Sequence, residues 1–528
     1  MKRKLIFLLL LWVGCALYGQ TIVVNGFQTG VWDADTVLVT GDVIVVDSLS
    51  IVRPNSVVLF DDFYGIKVLD GASFCVRGSD YAKIVFTVAD TAGFHVYNQG
   101  KGGWNGIHLQ KAGKVVLDNC LLQYGKAADT LDRFGGALSI YDCKDVTIKN
   151  TTLRCNFARE NGGAVYALRS QVSFDNCNIS ENKVYTEDGT YAMYGGGACF
   201  KLCDVEMNWM SFHVNYGPSC IGGAMSLDSC SLILDHANFS YNIGLNGGGM
   251  YLLRSNHKFC RISNVMFNDN YSGHFGGALA FAESSPEVYN LTVTRNSSEG
   301  VNCNGIFFFQ ESSPKLTNCI VYGNYPQGEV LGTSDTIQMW LWTFNGFNPE
   351  FRNCLIEKGL RSITYSDTIP VFEDIIDADP LFSFPEGYDF RLQKGSPCID
   401  AGNPIVPDFM VEGLDLGGII RVSNGRIDLG AFEYSENAVP ETSVAIGKAR
   451  LIGNPLNDQS RIELEESVSG EVTVAVYSMT GRCVARKVFG IGNTKSLEIG
   501  NMVGRLTSGL YLIEIIGKDS HFTLKAVR

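Results

Sequence analysis

The sequence is short of charge: Asp, Glu, Lys and Arg make up only 18% of its 528 residues. The charge that is present sums to −13 with no basic stripe, which argues against nucleic acid as a partner. Proline is scarce too, 14 residues against 58 glycines, a balance that favours β-structure with many tight turns over a helical bundle. Beyond the first residues no apolar run reaches the roughly 20 residues needed to span a bilayer as a helix. No Cys or His spacing fits a zinc site, so no metal is expected from those residues.

What is present starts with an export signal. A basic start (Lys2, Arg3, Lys4), an apolar run from Leu5 to Val13 and small residues near Gly19 predict a signal peptide over 1–19, cleaved before Gln20. Export would ordinarily turn cysteines into disulfides. However, Cys120, Cys177, Cys319 and Cys354 each follow an Asn and precede a short apolar pair. One repeated slot of that kind suits small apolar residues stacked inside an array. Cys199 with Cys203, or Cys220 with Cys230, are the pairs that could still bridge.

The repeat is explicit. GGAVYALRSQVSFDNCNISEN (Gly162 to Asn182) returns as GGAMSLDSCSLILDHANFSYN (Gly222 to Asn242) and GGALAFAESSPEVYNLTVTRN (Gly276 to Asn296). Double glycines stand at Gly135, Gly162, Gly196, Gly222, Gly248 and Gly276. A second marker is an Asn opening an alternating run: Asn150, Asn176, Asn208, Asn264, Asn290, Asn318 and Asn353, with Asp235 in the same slot. A third is the closing Asn: Asn156, Asn182, Asn215, Asn242, Asn270, Asn296 and Asn324. Runs such as AVYAL and VSFDN alternate as strands do. A period of about 27 residues is too short for a propeller blade and suits one coil of a right-handed parallel β-helix. Glycine supplies positive φ at the corners, and Asn tolerates the left-handed region there. Asn150, Asn176, Asn208, Asn264, Asn290 and Asn318 are therefore expected to stack as an amide ladder at one corner.

The G-G-A…F-x-x-N spacing, as in Phe212 to Asn215, Phe239 to Asn242 and Phe267 to Asn270, resembles the repeat of chlamydial polymorphic membrane proteins. Those are surface adhesins and autotransporters, and the likeness implies a β-helical scaffold over about Gly135 to Asn324 more than a function. Residues 36–87 resemble the entry coils of bacterial parallel β-helix proteins. Residues 379–434, from Asp379-Pro380-Leu381-Phe382 to DLGAFEY, resemble the segment that closes many of them. The expected division is entry coils 20–103, repeat array 104–360 and closing segment 361–434, then a polar linker 435–447.

A separate module is expected over 448–528, giving an all-β protein: a solenoid followed by a small β-sandwich. Its landmarks are Asn454-Pro455, then Gly481-Arg482 in a hairpin turn, then Gly509 and Tyr511, then Lys525 near the end. That order resembles the C-terminal sorting domain of type IX secretion in Bacteroidota, with Met479 where that family usually has Asp. The resemblance implies the type IX machinery as a partner and a final location outside the cell or on its surface.

Catalytic residues do not declare themselves. A lyase needs a base beside a charge neutraliser, and a hydrolase needs paired carboxylates. The seven His are scattered, with His213 and His236 at different offsets from their opening residues, and they read as surface histidines. The Asn-Thr-Asp, Asp-Asp and Gly-His-Gly motifs of the β-helical hydrolases are missing. The densest acidic group is Glu373, Asp374, Asp377 and Asp379, which reads as capping or solvation. No cofactor is called for, and a structural Ca²⁺ at that group is the one metal reading left open. Two interruptions of the coil carry aromatics suited to binding: Tyr185, Tyr191 and Tyr194 in one, Trp340 and Trp342 in the other. Exposed rings of this kind stack on sugars or anchor a partner. The expectation is adhesion or capture of an extracellular glycan or a cell surface. A polysaccharide lyase or glycoside hydrolase is the alternative, and a passive surface-layer component the second.

Overall fold

The computed structural model describes residues 19–435 and 449–527, apart from 80–81, 98, 129–132, 186–192, 300–302, 327–336, 343–346, 367–368, 406, 412, 423–424, 453–459, 479–482, 504–509 and 517–520. The leader up to residue 18, the linker from 436, Tyr191, Asn454, Pro455, Gly481, Arg482 and Gly509 lie outside the described residues. The chain divides into two compact units, Met1–Tyr434 and Ser435–Arg528.

The first unit is a parallel solenoid. Each coil contributes a strand to three long faces, and each strand pairs in parallel with its counterparts one coil before and after. Leu138–Tyr141 lies between Ile107–Gln110 and Val165–Leu168. Asp145–Lys149 lies between Lys114–Asp118 and the first half of Gln171–Ser180, and Thr152–Arg154 lies between Cys120–Gln123 and the second half of that strand. Alternate residues point into the bore, as the sequence pattern requires: Val172, Phe174 and Ile179 are buried while Ser173 and Asn178 are only half covered. The Phe of the F-x-x-N motif forms an internal stack, Phe212 on Phe239 and Phe239 on Phe267, each at 4.5 Å between centroids.

The double glycine has two separate causes. The first glycine adopts positive φ, and in the triple-glycine coils that role falls to Gly195 and Gly247, one residue before the Gly196 and Gly248 expected to open the pair. The second glycine stacks on the backbone of the next coil. A Cβ on Gly163, Gly196, Gly223 or Gly248 would lie 2.1 to 2.2 Å from the carbonyl oxygen of Gly196, Gly223, Gly248 or Gly277 respectively.

Two internal ladders hold the corners. The closing Asn residues form the more complete one, from Asn156 through Asn182, Asn215, Asn242, Asn270 and Asn296 to Asn324. Each backbone N–H and each side-chain Nδ2 donates to the Oδ1 of the next Asn, at 2.9 to 3.2 Å. All are buried, so each satisfied amide avoids the desolvation cost of about 1–3 kcal/mol that an unpaired one would carry. The other ladder uses hydroxyls and thiols. The backbone N–H of Cys143, Ser170, Cys203, Cys230, Ser255 and Ser284 each donates to the Oγ or Sγ of the next member, ending on Ser312.

The fourteen cysteines from Cys75 to Cys398 are free thiols, so neither Cys199–Cys203 nor Cys220–Cys230 is bridged. Cys120 and Cys177 flank Thr151 in one internal column, which continues to Cys319 and Cys354. Burial pushes the Cys120 thiol up to about 12 and that of Cys177 to about 11. Maleimide at pH 8 is therefore expected to leave Cys120, Cys177 and Cys319 unmodified in the folded protein and to label them in denaturant, read by peptide mass. Rapid labelling in buffer would mean that the bore opens.

The segment expected to close the solenoid docks along its side. Phe390, Leu392, Leu429 and Ala431 form one apolar cluster with Met266, Ile320 and Leu355. Its last turn is held by a buried ionic group. Arg421 donates to Glu433 Oε1 at 3.1 Å, to the carbonyls of Gly430 and Ala431, and to Asn264 Oδ1 at 2.8 Å. The acidic group nearby is engaged in the same structural way: Glu373 with Arg352, Asp377 with Arg361, and Asp379 on the N–H of Leu381. Among the described residues no three His, Cys, Asp or Glu side chains gather in a metal-sized group.

The second unit is antiparallel. Arg461–Ser478 pairs with Cys483–Glu498 along one edge; its other edge meets Ala449–Ile452 first and Leu510–Ile516 later. His521–Val527 completes the sheet against Leu510–Ile516. Tyr511 and Lys525 lie in these last two strands, Tyr511 opposite Ala526 and Lys525 opposite Leu512. No described helix is long and apolar enough to cross a membrane.

Candidate functional site

One outer corner of the solenoid carries a column of residues in the left-handed conformation. Asn119, Asn150, Asn176, Asn264, Asn290, Asn318 and Asn353 all have φ between 49° and 59°. Asn208 is not among them. It sits opposite Asp175 on one side and Asp235 on the other, one residue before the corner. The corner positions of those two coils are Trp209 and His236, each with φ of 52°. The indole and imidazole stack at 4.1 Å and 22°. An amide ladder is thus replaced, for two coils, by an aromatic pair.

The reason lies in spacing. Counted from the second glycine of the pair, the corner falls thirteen residues on at Asn176, Trp209, His236 and Asn290, against fourteen at Asn150 and sixteen at Asn264. Aligning coils on the nearest Asn or Asp shifts two of them by one residue and hides the pair. His236 is accordingly not a surface histidine: it is buried, its Nε2 lies 3.0 Å from the carbonyl of Leu414 in the docked segment, and its Nδ1 lies 3.2 Å from Asp235.

The two halves of the column have different surroundings. Beyond His236 the docked segment occupies it. Asn264 accepts from Arg421, Asn290 donates to the carbonyls of Asp428 and Gly430, and Asn318 accepts from the N–H of Asn403 at 2.6 Å. Before His236 the column lines an open groove of about 490 Å³. Asn150 Nδ2 donates to Asp118 and Asn176 Nδ2 donates to Asn150 Oδ1 at 2.9 Å. The run of amides then stops at Asn176, because its next neighbour is the indole. Thr152, Asn178 and Ser211 line the groove beside the column, Leu416 of the docked segment adds an apolar group, and Lys83 lines it too, donating to Thr152 Oγ1 at 3.0 Å. Burial draws the Lys83 ammonium below its ordinary pKa.

The aromatics singled out from sequence lie elsewhere. Trp340 and Trp342 project outward from Met339–Trp342, whose Met339 and Leu341 fill the bore. Their rings stack on one another at 6.0 Å, with Phe307 and Phe275 against Trp340. Tyr185 packs on Tyr97 and, with Tyr97 and Tyr216, surrounds the Lys183 ammonium at 4.5 to 5.1 Å from the ring centroids. Tyr194 belongs to a different short strand, its N–H bonded to Asn161 Oδ1.

Profiles of known families agree with this architecture. The right-handed β-helix region matches over residues 43–205 and 105–287, and the secretion-system C-terminal sorting domain over 452–527. The chain is a right-handed β-helix protein with a type IX sorting domain. No curated protein matches it. The sorting domain implies that this β-helix protein meets the type IX machinery and ends up secreted or on the cell surface. The corner groove lies within the solenoid unit, apart in sequence from the sorting domain.

Proposed function

We propose that this secreted β-helix protein binds extracellular glycan in the corner groove, as an adhesin or capture protein. The reading rests on one observation: a half-exposed indole, backed by His236, stands at the end of an open row of amides and hydroxyls. Sugars present apolar ring faces and hydroxyl edges, and they are recognised by aromatic stacking together with planar hydrogen-bonding groups. The groove offers both on a rigid scaffold. The stacked Trp340 and Trp342 supply a second aromatic surface for the same kind of ligand.

Trp209→Ala tests the reading. Binding of glycan oligomers by calorimetry or array should weaken at least about tenfold, equivalent to 1.4 kcal/mol. Folding stability should fall by only about 1 kcal/mol, the scale of one aromatic pair. Trp209→Tyr should recover part of the affinity. Unchanged binding by the alanine variant would move the site to the Trp340 surface or end the proposal.

A further inference from the structure

We infer that the corner groove is built for an acidic glycan, with Lys83 as the counter-charge to a carboxylate or sulfate of the ligand. The inference rests on the glycan-binding reading and adds the ligand's charge to it.

Three observations carry it. First, the Lys83 ammonium is half-buried at the groove, and among the described residues its only hydrogen-bond partner is the Thr152 hydroxyl, with no carboxylate pairing it. A desolvated cation without a counter-charge is an unfavourable arrangement that an anionic ligand relieves. In a chain of net charge −13 such a residue stands out from its background. Second, the three carboxylates that flank the column are already engaged. Asp118 accepts from the amides of Asn119 and Asn150, Asp175 accepts from the Asn208 amide and lies 3.8 Å from the Lys149 ammonium, and Asp235 accepts from Ser263 and Asn264 at 2.8 Å and lies beside His236. None compensates Lys83. Third, charge and stacking face are set at different points of one track. Lys83 reaches Thr152, which pairs with Asn178, and Asn178 pairs with Ser211 in the coil of Trp209. At ~4.8 Å per coil the ammonium and the indole stand roughly 10 Å apart along the axis. They therefore meet different sugars of one extended chain, the acidic group of one and the ring face of another, with the Asn176 carbonyl oxygen between them as a hydroxyl acceptor.

The test compares alginate and chondroitin sulfate oligosaccharides with neutral cello- and chito-oligosaccharides on the mature full chain, by calorimetry at low and at 0.5 M salt. The acidic oligomers should bind at least tenfold more tightly, and the difference should shrink at high salt, where charge–charge attraction is screened. Lys83→Met should remove the preference, bringing acidic oligomers to the affinity of neutral ones, and Lys83→Arg should keep it. A thermal midpoint for each variant shows that it is folded. Equal binding of both classes, or an unchanged preference in Lys83→Met, overturns the acidic specificity and leaves glycan binding standing. Binding of neither class overturns both readings.

Discussion

Gly223→Ala is expected to cost the solenoid more than about 4 kcal/mol, a loss at the far end of what single substitutions cause. The added methyl would lie 2.1 Å from the Gly248 carbonyl oxygen, 2.6 Å from the carbonyl carbon of Ile243 and 2.8 Å from the amide nitrogen of Gly244. All three are backbone atoms of neighbouring coils, so no side chain can rotate away. Relief requires two coils to separate, which breaks ladder bonds on several faces at once. Gly71→Ala is the control. Gly71, unlike Gly223, has positive φ, 74°, and nothing lies within 4 Å of its missing Cβ. Its variant should lose only about 1–2 kcal/mol, the left-handed backbone cost of an L residue. Denaturant midpoints of the two variants read the difference. Equal losses would show that the close approach of coils is not what selects the stacked glycines.

Much of this was legible in the sequence because the solenoid repeats its physics every coil. The double glycine, the Phe of F-x-x-N and the closing Asn each recur, and in the structure each has an identifiable cause: positive φ and backbone contact for the two glycines, an internal ring stack for the Phe and a satisfied amide for the Asn. The shared slot of Cys120, Cys177, Cys319 and Cys354 was readable for the same reason. The candidate site was not, because it is where the repeat fails. Trp209 and His236 interrupt the Asn column, and Asn208 and Asp235 stand one residue away as decoys for any alignment on polar residues. Lys83 could not be placed either, since its partner Thr152 is 69 residues on and two coils away. The docking of Arg421 on Asn264 spans 157 residues, a distance over which no local pattern carries information.

Fusing residues 435–528 to an unrelated exported protein should carry that cargo across the outer membrane in a host with the type IX pathway, and deleting Leu524–Arg528 from the native chain should hold it in the periplasm. The two effects follow from the second unit alone. It has its own buried residues, Ile462, Val474, Val476, Leu497, Ile513 and Ile515, and forms its own antiparallel sheet. A unit of that kind is expected to fold without the solenoid. The deletion removes the partners of Leu510, Tyr511, Leu512 and Ile513, so the sheet loses half of its last strand and exposes an unpaired edge. Lys525→Ala separates the address from the fold, because the backbone pairing of Lys525 with Leu512 does not depend on the side chain. If the address lies on the surface of this strand, the alanine variant should be retained in the periplasm while its module stays folded. If only the deletion is retained, the machinery reads the intact sheet. In every retained protein the thermal midpoint of the solenoid should match that of the exported form, since Met1–Tyr434 is a compact unit of its own. Normal surface amounts of the truncated chain would show that the last strand is no part of the sorting signal and that recognition rests on the strands between Ala449 and Ile516.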